Sequence, residues 1–183
     1  MARILLDRSR SREAAEILKR IPAIQRNESD LLDAAILRKK SGDFQGAHHL
    51  LAEAFALNPN NVRTIHEMAR TKSRLARELK QSQAGGKLNP QDQALRKKLF
   101  QESEDLLRRA IQLADDSKRL AWCWHDLAWT LINLRQPDNE IEQAFLKART
   151  FAPQEHRIQS AYESWKSRRD RSGRGNRPGR GSA

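Results

Sequence analysis

The chain holds a single cysteine, Cys123, so no intramolecular disulfide can form and a cysteine-rich metal site cannot be assembled. Long apolar runs are missing as well. The apolar start Ile4-Leu5-Leu6 is too short for a signal-peptide core, and no stretch approaches the roughly 18 apolar residues of a membrane span. These absences argue against a membrane partner and for a cytoplasmic protein. Turn-forming residues are scarce: of 8 glycines in 183 residues, four (Gly173, Gly175, Gly179, Gly181) fall at the far C-terminus, and there are only 6 prolines. Little turn material is left for the body of the chain, which favours long helices and an all-α fold. Hydrophobic residues make up 38% and the mean hydropathy is −0.84, as suits paired amphipathic helices with a polar outer face.

What the chain has in excess is positive charge. Thirty-five Lys and Arg against 23 Asp and Glu give +12, which makes an anionic partner plausible. From Lys166 onward seven basic residues face Asp170 alone, so half of the surplus sits at the C-terminus. That end reads RRDRSGRGNRPGRGSA, without an apolar side chain before Ala183; it cannot bury enough surface to offset its ordering entropy, and the segment 168–183 is read as a disordered tail.

The most informative stretch is 28–61, ESDLLDAAILRKKSGDFQGAHHLLAEAFALNPNN. Leu31, Ala34, Ala35 and Arg38 share one helical stripe, and Ala47, Leu50, Leu51, Ala54 and Phe55 share another. Between them lies Ser41-Gly42-Asp43-Phe44, where Gly42 suits a left-handed helix end and Asp43 a helix start. Pro59 then stops the second helix. The unit is a 34-residue helical hairpin that resembles the tetratricopeptide repeat in length, turn and closing proline.

Stepping forward by the same period, Ile65, Met68, Ala69 and Lys72 repeat the first-helix phase, but Ser103, Leu107 and Ala110 arrive 22 residues late. The repeat 62–116 therefore carries an insertion that turns near Gly85-Gly86. Its flanks read as helical, giving a hairpin arm projecting on the order of 10–15 Å. A further unit, 117–153, places Trp124, Leu127, Ala128 and Leu131 before Phe145, Ala148 and Pro153, with Arg135-Gln136-Pro137 in place of the glycine turn. Ile158, Ala161, Tyr162 and Trp165 define a capping helix over 154–167, and 1–27 reads as a partial first repeat. The whole is read as an α-solenoid of antiparallel hairpins over 1–167.

In tetratricopeptide proteins the first helices of successive hairpins line a concave groove that holds a peptide. Carried over by phase, the resemblance implies a groove of Lys39, Lys40, Arg63, His66, Arg70, Arg74, Trp122, His125, Trp129 and Asn133. Such a groove is cationic and aromatic, fit for an acidic or aromatic-bearing peptide. The plain alternatives stay open: lysines and arginines as solvated surface, Trp122 and Trp129 as core. The family's two-carboxylate clamp for chaperone C-termini is not expected, because Leu32, Ile36, Glu67 and Asp126 fall at several of its sites.

Two other readings compete with a protein-interaction adaptor. The Arg/Gly segment with Arg168, Arg169, Arg171, Arg174, Arg177 and Arg180 is similar to the tails of RNA-binding proteins, although it lacks interspersed Phe and Tyr. The shortened first repeat also fits the sensor portion of a larger signalling protein. Catalysis finds little support. His48-His49 and His125-Asp126 are adjacent on helices and point about 100° apart, and no phosphate loop, nucleophile elbow or ligand cluster is visible. No cofactor or metal is expected.

Overall fold

A computed structural model describes residues 27–81 and 88–174. The expected first partial repeat and the Gly85-Gly86 turn lie outside the described residues, as does the tail from 175 on. The described residues form seven helices: α1 (Glu28–Lys40), α2 (Phe44–Leu57), α3 (Val62–Gln81), α4 (Pro90–Leu113), α5 (Ser117–Leu134), α6 (Asp138–Phe151) and α7 (His156–Arg174). Each packs against the next in chain order, and α3 also meets α5, the arrangement of a helical solenoid.

Local chemistry sets the helix ends. Asn27, Asp43, Asn89 and Asp116 each accept a backbone N–H from the first turn of the helix that follows. Between α1 and α2, Gly42 takes φ +85°; its N–H reaches the Lys39 carbonyl and that of Asp43 reaches Arg38, closing the helix with a left-handed residue. A Cβ on Gly46 would meet Asp43 Oδ2 at 2.2 Å, so the cap depends on glycine there. Between α5 and α6 the same device is built without glycine: Arg135 adopts φ 58°, ψ 39°, and the N–H groups of Arg135 and Gln136 close onto Ile132 and Leu131.

Small residues let the helices approach. Ala35, Ala47, Ala54, Ala69, Ala110, Ala128 and Ala148 are all completely buried. Leu31, Leu32, Leu50 and Leu51 fill the core of the first hairpin. A second core, built on Ile65, Leu107, Leu127, Leu131, Ile141 and Phe145, is closed by Tyr162 and Trp165 from α7. Phe145 is fully buried beneath Trp129, His125, Tyr162 and Trp165, all within 6.4 Å of its ring centroid.

α3 has 20 residues where α1 has 13, and α4 has 24 where α2 has 14. At about 1.5 Å per residue the extra turns add roughly 10 and 15 Å. One expectation is corrected. Order does not stop at 167, because α7 runs on to Arg174. The polar segment finds partners: Arg169 binds Glu142 Oε2 at 2.9 Å and lies 4.8 Å over the Trp165 ring, and Arg168 lies 5.8 Å over Trp129. The side-chain N–H groups of Arg168 and Arg171 also reach the carbonyls of Ser164 and Ser167 one turn back.

Candidate binding groove

The extended α3, the C-terminal half of α5, α4 and the start of α2 enclose a cavity of about 520 Å³. Lys39, Arg70, Arg74, His125, Trp129 and Asn133 line it, all of them groove residues inferred from the repeat phase. Phe44, Arg77 and Phe100 also form its wall, and none of these was singled out from the sequence.

The groove has three levels along the α3 axis. At the first, Asp126 on α5 is the hub. His66 Nε2 donates to Asp126 Oδ2 at 2.9 Å, His125 Nδ1 to Oδ1 at 3.0 Å, and the Arg70 guanidinium lies 3.4 Å away. Burial alone would raise the Asp126 carboxyl, but the hydrogen bonds from His125 and His66, with the Arg70 charge, hold it far below the usual carboxylate range. Glu67 behaves likewise: burial opposes its ionisation, Lys39 and Arg70 outweigh burial, and its carboxyl titrates below the ordinary value. Lys39 and Arg70 both bind Glu67 directly. The indole N–H of Trp129 donates to His125 Nε2 at 3.2 Å, which assigns that nitrogen as acceptor and Nδ1 as the protonated one.

The middle level is a hydroxyl cluster. Ser103 donates to the Ala69 carbonyl and Thr130 to that of Asp126, while Ser73 lies 2.9 Å from Ser103 and 3.3 Å from Thr130. With the Ser103 and Thr130 protons already placed, Ser73 donates to one neighbour only. The cluster therefore offers lone pairs to a ligand and no further O–H.

At the third level the cations sit on aromatic rings. Arg74 lies 4.9 Å over Phe44 and Arg96 4.9 Å over Phe100, and from α7 Arg168 covers Trp129. The wall aromatics are thus already faced by guanidinium groups. Arg96 also donates to the Asn133 side chain at 3.0 Å.

Four inferred groove residues do not line the cavity. His66 is only 3% exposed, drawn into the core by Asp126, and is not available to a partner. Trp122 is partly buried against Ala121, Ala148 and Ile158, and its ring meets that of His125 in a T-shaped contact with centroids 5.3 Å apart. Arg63 lies beside Asp33 at 3.8 Å near the start of α3. Lys40 is exposed at the end of α1. Cys123 is buried, and its thiol is pushed up to about 12 by burial and then by Asp126, which leaves it a poor nucleophile. No group of three or more His, Cys, Asp or Glu able to hold a metal occurs among the described residues. Nor is any described helix long and apolar enough to cross a membrane.

No protein-family model and no curated protein sequence matches the chain. Solved structures do. MamA from Desulfovibrio magneticus RS-1, residues 41 to the end, superposes with a TM-score of 0.68 at 16% identity, covering 92% of this chain and 81% of that one. A monomeric mutant of IFIT1 with Gppp-AAAA gives 0.66 at 19% identity over 80% of this chain and 31% of that one. A thermophilic tetratricopeptide protein of Thermus thermophilus gives 0.50 at 14% identity, over 89% and 94% of the two chains. At these identities the likeness shows the fold alone, a tetratricopeptide-type α-solenoid.

Proposed function

We propose that the chain is a non-enzymatic, cytoplasmic adaptor that holds an acidic segment of another protein in the groove between α3 and α5. The observation that carries this reading is the cavity of about 520 Å³ walled by Lys39, Arg70, Arg74 and Arg77 beside Phe44 and Trp129. A peptide fits its floor, because the hydroxyl lone pairs of Ser73 and Thr130 can accept backbone N–H groups while the guanidiniums bind carboxylates. Titration calorimetry with an aspartate-rich peptide and its lysine counterpart tests it. Binding of the acidic peptide alone is expected, weakening at higher salt and lost in Arg74→Glu/Arg77→Glu. Equal binding of both peptides, or a double variant that binds as well as the parent, sinks the reading.

Nucleic acid is the second reading, since IFIT1 with Gppp-AAAA shares the fold and the C-terminus is basic. Here the ring faces weigh against base stacking in the groove, because Arg74, Arg96 and Arg168 already cover them. A mobility shift with a short single-stranded RNA, surviving Arg74→Glu/Arg77→Glu, would assign any RNA affinity to the basic C-terminal helix instead.

A further inference from the structure

The four cations that wall the cavity differ in what already holds them. Lys39 and Arg70 hydrogen-bond to Glu67, and Arg70 also faces Asp126. The Glu67 side chain is only 12% exposed, so these pairs belong to the packed fold. Arg77 lines the cavity without an ion pair among the described residues. Arg74 stands between the two cases. Its guanidinium lies 4.9 Å over the Phe44 ring, and Glu78 Oε1, one turn further along α3, approaches its Nε at 3.4 Å.

The contact between Arg74 and Glu78 is a loose one. Nε of Arg74 makes no hydrogen bond, and the two side chains are 43% and 40% exposed. An arginine four residues before a glutamate is also the less favourable order on a helix, and an exposed pair of this kind adds little to stability. The stack on Phe44, in contrast, keeps the guanidinium in place whichever carboxylate it meets. A carboxylate that is not tied to α3 can engage two N–H groups of the planar fork at once. It also gains from Arg77 on the same wall, whose protonated form is disfavoured by burial and then by the charge of Arg74, with Arg70 adding to the push and Asp126 opposing it.

We propose that Glu78 is a built-in stand-in for the partner's acid: it occupies Arg74 in the free chain and is displaced when a side-chain carboxylate of the bound segment docks on Arg74 beside Arg77. This rests on the acidic-segment reading and narrows it. Lys39 and Arg70 keep their internal partners, Arg74 and Arg77 hold the incoming acid, and Glu78 sets the affinity by competing for Arg74.

The test is a double-mutant cycle read by fluorescence anisotropy on the full chain. The probe is a fluorescein-labelled nonapeptide of alanine, leucine and aspartate, with its lysine counterpart as control. Glu78→Gln is expected to tighten binding of the aspartate peptide about fivefold in the parent and less than about twofold in Arg74→Gln. General repulsion between Glu78 and an acidic peptide would persist without Arg74, whereas displacement of a stand-in cannot. Binding that is lost in Arg74→Gln and not restored by adding Glu78→Gln is the limiting form of the expected result. The inference is overturned if Glu78→Gln leaves the affinity unchanged or weakens it, or if the gain is as large in Arg74→Gln as in the parent. In those cases an aspartate peptide that still outbinds its lysine counterpart, and is lost in Arg74→Glu/Arg77→Glu, leaves the acidic-segment reading standing. Failure of the aspartate peptide to bind both the parent and Glu78→Gln removes both.

Discussion

The two ends of the groove are built from the same kinds of residue to opposite purposes. Around Asp126, cations and carboxylates neutralise each other: His66, His125 and Arg70 converge on one acid, and Lys39 and Arg70 on Glu67. Further along the groove, Arg77 lines the cavity without an ion pair among the described residues, and Arg96 lies over the Phe100 ring and donates to Asn133. A network that satisfies itself contributes to holding α3 against α5. A guanidinium without an ion pair has no such share in holding the helices together. Groove residues alike in charge therefore differ in role, and substitution should separate them.

Asp126→Ala should have the largest effect. It strips the acceptor from a buried His66 and leaves Arg70 facing Glu67 alone, for an expected loss of about 3 kcal/mol in chemical denaturation. A loss under about 1 kcal/mol would mean that the closed end is not structural. Acid should reveal the same network. Asp126 and Glu67 have folded-state carboxyls depressed below their unfolded values. Their contribution is complete above roughly pH 4 and is lost as pH falls below that toward the depressed values. Urea midpoints followed from pH 6 to pH 3 should drop steeply below pH 4 in the parent and less steeply in Asp126→Asn.

At the open end the effects should be smaller and differently directed. Arg135 is held in the left-handed region at φ 58°, so Arg135→Gly should stabilise by about 1 kcal/mol. A rise of several degrees in the melting temperature would register it, and a fall would show that the Arg135 side chain is itself needed. Arg77→Gln should move stability by less than about 0.5 kcal/mol, because an exposed residue with no ion pair has little to lose. A melting temperature that drops as far as that of Asp126→Ala would erase the distinction between the ends.

Much of the scaffold was legible in the sequence. Gly42, Pro59 and Pro153 punctuate it, and the alanines at helical spacing mark the faces that meet. Part of the groove was legible for the same reason: Arg70, Arg74, His125 and Trp129 follow the repeat phase and do line the cavity. Phe44 was hidden because it reads as a turn residue. Arg77 and Phe100 belong to the lengthened parts of α3 and α4, where a 34-residue template has no counterpart. His66 misled because phase sets which way a side chain sets out, not whether a carboxylate on another helix will draw it into the core.

The sequence by itself determined the helices, their ends and the hairpin order, since these depend on neighbours within a few residues. Only the tertiary structure decided which charges cancel. Asp126 is 60 residues from His66, Glu67 is 28 from Lys39, and Arg96 meets Asn133 across 37. Pairing of that kind depends on distances between helices, and those are fixed only when the alanine faces close and the cores around Leu51 and Phe145 fill.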